Sequence, residues 1–129
     1  MWTIEELLGK VSSSGGSDLI LTSGAPPMLK ILGVMHAVGA TPLGEDETKT
    51  LGLSILNEAQ RAILEDMRSV DLSKGFPGLN RFRFNVFYQR GTLALVARLI
   101  PYRIPSFAEL GLPPIVQQFA LCPHGLVLV

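Results

Sequence analysis

From Asn80 to Pro101 the chain reads as two strand-like runs joined at Arg90-Gly91. Side chains alternate between two faces with the period of two that a pleated strand imposes. A two-residue loop at Arg90-Gly91 sets Phe82, Phe84, Val86 and Tyr88 opposite Leu99, Ala97, Leu95 and Leu93, which makes one face wholly apolar. The other face carries Arg81, Arg83, Asn85, Phe87 and Gln89 against Ile100, Arg98, Val96, Ala94 and Thr92. Arg83 then stands directly across from Arg98, and like charges so placed repel. Two readings fit: both side chains splay into water, or the paired guanidiniums grip an anion such as a phosphate.

Elsewhere the pattern predicts helices and a further hairpin. Thr3 and Glu6 have capping-box spacing, Trp2 and Leu7 are placed for a hydrophobic staple, and Ile4, Leu7, Leu8 and Val11 form one helical stripe. After Ser12 to Gly16, Asp18 to Thr22 reads as a strand. Met28 to Leu32 and Val34 to Val38 flank Gly33 as a hairpin, with Lys30 and His36 outside. Helices are expected from about Glu45 to Leu56 and from Glu58 to Met67, covering the sheet, and a short strand from Val70 to Ser73. The Pro-rich stretch from Ile104 to Pro114 reads as a surface linker, Ile115 to Ala120 as one more helix, and Gly125 to Val129 as a buried parallel strand. The fold class expected is α+β, a mostly antiparallel sheet flanked by helices.

The chain's 129 residues suit one domain, and 47% hydrophobic residues suffice for its core. Eleven basic side chains balance eleven acidic ones, so no overall field draws in nucleic acid or an anionic membrane, and any anion recognition is local. No apolar run approaches the roughly 20 residues of a membrane span. The opening residues, with Trp2, Glu5 and Glu6, do not read as a signal peptide. A lone Cys122 excludes an internal disulfide and fits a reducing cytoplasm.

Few residues offer chemistry. Asp18 and Asp71 read as turn or cap carboxylates, Cys122 as an incidental thiol, and His36 and His124 lie too far apart to imply a metal site. Ser12 to Gly16 matches a phosphate loop in composition only, without the G-x-x-x-x-G-K-[ST] spacing. No nucleophile, base and orienting group occur together. The arginine face made by Arg81, Arg83 and Arg98 is the principal candidate.

Several blocks in order carry a family resemblance: Gly16 to Pro27 (GSDLILTSGAPP), Gln60-Arg61, Arg81 to Gly91 (RFRFNVFYQRG), Arg98 to Pro101 (RLIP) and Gly125 to Val129 (GLVLV). Together they make the chain resemble, end to end, the N-terminal portion of the type IV pilus retraction ATPases, the PilT family of secretion motors. An accessory paralogue shares most of these blocks. The resemblance implies a PAS-like domain over residues 1–101, a Pro-rich linker with short helices over 102–124, and over 125–129 the first strand of a RecA-like ATPase domain. It places the Walker A and B elements beyond Val129, so that the 129 residues alone are expected not to hydrolyse ATP.

Further implications are a homo-hexamer bound to ATP and Mg2+, cytoplasmic and peripheral to the inner membrane through a pilus platform protein, powering pilus retraction and twitching motility. Carried over by position, Arg81, Arg83 and Arg98 are the residues that reach the ATP phosphates. The hairpin register favours Arg83 beside Arg98. The Gln89-Arg90-Gly91 block fits a structural role at the turn equally well, and a free-standing PAS-like module that binds a ligand or protein is the alternative reading.

Overall fold

A computed structural model describes residues 2–128. Helix α1 (Ile4–Ser13) opens at the expected cap, where the Glu6 amide donates to the Thr3 hydroxyl and the Thr3 amide to the Glu6 carboxylate. Two donors that the first helical turn leaves without partners are thereby satisfied. Strand β1 (Asp18–Leu21) follows, then the hairpin of β2 (Met28–Ile31) and β3 (Val34–Ala37). Helices α2 (Glu45–Ser54) and α3 (Glu58–Met67) lead into β4 (Ser69–Gly75), a longer strand than the sequence suggests. The long hairpin of β5 (Arg81–Gln89) and β6 (Thr92–Ile100) completes a six-stranded sheet in the order β3-β2-β1-β6-β5-β4, antiparallel throughout.

The expected hairpin register is the observed one: Phe82 pairs with Leu99, Arg83 with Arg98 and Gln89 with Thr92. Its turn has Arg90 at φ 52° and Gly91 at φ 84°, the left-handed pair that a tight, right-twisting hairpin requires. The apolar face of the sheet is dry. Phe82, Phe84 and Val86 are wholly buried with Leu19, Leu21, Leu95 and Ala97, under Leu7, Leu8 and Val11 of α1, Leu51 of α2 and Leu64 of α3. At Gly52 helix α2 comes so close that an added Cβ would lie 2.0 Å from Leu93 Cδ2. The α+β, PAS-like expectation therefore holds, with α1, α2 and α3 against one side of the sheet.

The C-terminal stretch differs from its reading. Helix α4 (Pro114–Ala120) forms as expected, but residues 125–128 adopt no strand, and Val129 lies outside the described residues. In the six-stranded sheet no strand pairs with these residues. Leu126 and Leu128 are exposed, and Val127 and Leu128 edge an open apolar hollow beside Val116 and Phe119 of α4.

Candidate functional site

The second face of the sheet carries the candidate residues. Across it runs a row set by backbone register alone: Lys30 on β2, Asp18 on β1, Arg98 on β6, Arg83 on β5 and Ser73 on β4. A parallel row, Met28, Ile20, Val96, Asn85 and Asp71, lies one pleat repeat away. Between the rows, Asp71, Arg83, Asn85, Val96 and Arg98 line an open depression of about 170 Å³.

The three arginines are held differently. Arg98 donates from Nε to Asp18 Oδ1 at 2.8 Å, and the Ser17 hydroxyl donates to the other carboxylate oxygen at 2.7 Å. The Asp18 side chain is only 7% exposed, whereas that of Arg98 is 70% exposed. Bonding through Nε leaves both terminal nitrogens of Arg98 free to donate outward. Burial works against the charged form of Asp18, but the Ser17 and Arg98 hydrogen bonds and the Arg98 and Lys30 charges outweigh it, holding the carboxyl below its usual value. Arg81 is tethered the same way, Nε to Ser73 Oγ at 2.7 Å. Arg83 instead turns Nη2 toward Asp71 Oδ1 at 3.6 Å, an exposed ion pair too long for a hydrogen bond.

Asp18 and Asp71 are therefore not turn or cap groups. Both sit inside strands, and each is the counter-charge of an arginine. That is how the sheet tolerates Arg83 opposite Arg98. Sequence reasoning missed the pairing because Asp18 and Arg98 are 80 residues apart and meet only through the β1–β6 register. One signal was available: Asp18 alternates with the buried Leu19, and Asp71 with Val70, which puts both acids on the arginine side.

Other polar groups lie apart from this row. Arg68, at φ 61° at the end of α3, stacks 3.7 Å from the Tyr88 ring centroid, while the Tyr88 hydroxyl donates to Glu65 at 2.7 Å, which raises its pKa. Gln89 and Arg90 line a small polar hollow of about 230 Å³ with Thr22, Ser23 and Thr92. His36 is an exposed residue of β3. Among the described residues no group of three or more His, Cys, Asp or Glu could hold a metal, and no helix is long and apolar enough to cross a membrane.

No family model matches the chain. The type IV pilus ATPase PilU of Pseudomonas aeruginosa is 38% identical over 124 residues, covering 96% of this chain and 32% of PilU. The type IV pilus retraction ATPase PilT of the same organism is 36% identical over 126 residues, covering 98% of this chain and 37% of PilT. The chain thus spans about a third of the length of these curated relatives. A crystal structure of the pilus retraction motor PilT with bound ADP superposes at TM-score 0.79 and 40% identity, over 92% of this chain and 35% of that one. The Legionella pneumophila ATPase DotB shares the fold at TM-score 0.66 and 22% identity. PilU and PilT are homologues of this chain, and its fold is that of the PilT N-terminal domain.

Proposed function

We infer that the chain serves as the N-terminal domain of a hexameric ATPase motor that retracts type IV pili and so supports twitching motility, and that Arg98, with Arg81 and Arg83, lends positive charge to ATP phosphates. Homology to PilU and PilT over nearly the whole chain supports the motor, and the ADP held by the PilT crystal structure supports the nucleotide. The observation that carries the arginine role is Arg98, anchored through Nε on a buried carboxylate while its residue lines an open depression. A guanidinium fixed before the anion arrives loses little freedom on binding it and stabilises charge that develops on a transferring phosphoryl group.

On this reading residues 1–101 are the phosphate-contacting domain, 102–124 the hinge, and 125–129 the start of the ATPase domain that would hold the nucleotide. The depression is smaller than the roughly 300 Å³ at which small-molecule pockets begin, which suits a surface that contacts only part of a ligand held elsewhere. On this reading the ligands of the Mg2+ accompanying ATP would come from the ATPase domain. Hydrolysis moves phosphate charge relative to the row, and the hinge converts that change into rotation of the domain. The motor would stand on the cytoplasmic side of the inner membrane, against the pilus platform protein.

Replacing Arg98 with Ala in the complete ATPase tests the reading. ATP turnover is expected to fall about a hundredfold or more, the scale on which arginines act in phosphoryl transfer. Turnover and nucleotide affinity both at wild-type values would remove the arginine role.

A further inference from the structure

We propose that the two acidic residues of this face act on the arginines in opposite senses: Asp18 is a positioning residue that aims Arg98 at an incoming phosphate, and Asp71 is a resident counter-anion that occupies Arg83 until a phosphate displaces it. The proposal rests on the reading of this face as a phosphate-contacting surface, and it adds distinct roles for its two acidic residues.

The difference between the pairs is one of burial and bond. The Asp18 carboxylate is almost sealed, spans Ser17 and Arg98 with its two oxygens, and faces Lys30 from β2 and Arg98 from β6. Breaking its bond to Arg98 would leave a charge stranded away from water, so the pair stays closed. Because the bond uses Nε, closing it consumes none of the terminal donors that grip a phosphate in a bidentate manner.

Asp71 is the reverse. Its side chain is 59% exposed, Arg83 is 69% exposed, and their 3.6 Å contact engages one of the Arg83 terminal nitrogens that a phosphate needs. An exposed pair at that distance is weak and easily exchanged. Both residues line the same depression as Arg98, so an anion settling there meets Arg98 ready and Arg83 occupied.

The test uses the 129-residue chain, inorganic pyrophosphate as probe, and NMR of the arginine Nε–Hε groups. In the wild type the Arg98 Nε–Hε proton is expected to exchange with solvent at least tenfold more slowly than that of Arg90. In Asp18→Asn this protection is lost and pyrophosphate binds about tenfold more weakly. Ser17→Ala, a milder change that spares the carboxylate, binds about threefold more weakly. Asp71→Asn binds about threefold more tightly with Arg98 protection unchanged.

Each of the two Asp→Asn changes removes one negative charge, so a general electrostatic effect would tighten binding in both. Opposite signs require the specific roles. Wild-type affinity and protection in Asp18→Asn would overturn the positioning role, and weaker binding in Asp71→Asn would overturn the counter-anion role. A wild-type chain whose Arg98 is protected but which binds no pyrophosphate would instead overturn the phosphate reading of the face, and with it the role of Asp71, while the Asp18 tether stood.

Discussion

Asp18 concentrates the electrostatics of this chain in one side chain, and its effect on stability has a definite sign. Its folded pKa lies below the ordinary value, so the unfolded chain binds a proton more readily near pH 4. The resulting stabilisation is complete above the unfolded pKa of about 3.9 and disappears as pH falls through the lower folded value. Asp18→Asn is therefore expected to cost about 1 to 2 kcal/mol at pH 7, the exposed Arg98 end being partly screened by water. Urea unfolding from pH 7 down to pH 2 should show the two proteins converging at the acid end, and a gap independent of pH would contradict the ion pair. The arginines were legible in the sequence because alternation within one hairpin is a local signal. The partner of Asp18 was not, since it comes from β6, whose place beside β1 no local pattern encodes, and that of Asp71 required the β4–β5 register as well.

At the scale of elements, the parts read best are those whose information is short-ranged. The α1 capping box, the extents of α3 and α4, and the full β5–β6 register follow from neighbouring residues. Residues 125–128 form no strand here, because their apolar run encodes burial without encoding a partner within these residues. The β2–β3 hairpin offers a sharper test of the same chemistry. Its two-residue turn puts Leu32 at φ 48° and Gly33 at φ 83°, with Leu32 94% exposed. A left-handed conformation disfavours leucine, which gains no packing there in return, whereas Asn-Gly is the pair such turns prefer. Leu32→Asn should therefore stabilise the chain by about 0.5 to 1 kcal/mol in chemical denaturation. A destabilised variant would mean that Leu32 is held by contacts its exposure does not suggest.

For the molecule as a whole, the sheet separates two environments: one face packed with helices and dry, the other charged and open. The C-terminal stretch is apolar and uncovered: Leu121, Leu126 and Leu128 are each about four-fifths exposed, and Leu128 edges the hollow beside Val116 and Phe119. Apolar residues clustered in this way favour association. Light scattering of the 129-residue chain should show mass rising with concentration, and Leu126→Ser combined with Leu128→Ser should return it to a monomer. A wild-type chain monomeric at every concentration would count against this surface. The α+β class and the helices that cover an antiparallel sheet were legible from periodicity, whereas the PAS-like assignment came from the resemblance that several sequence blocks carry together.

The β1–β6 pairing has a consequence in time as well as in space. The two hairpins close over a few residues, whereas β1 meets β6 only by bringing together strands from opposite ends of the domain, the pairing with the largest loop-closure cost. The Asp18–Arg98 contact is thus a topological clasp, made when the first strand of the chain locks onto the last strand of the sheet. A nascent or partly unfolded chain would carry all its arginines and still lack an aimed one. The orientation of Arg98 therefore depends on the longest-range strand pairing of the fold.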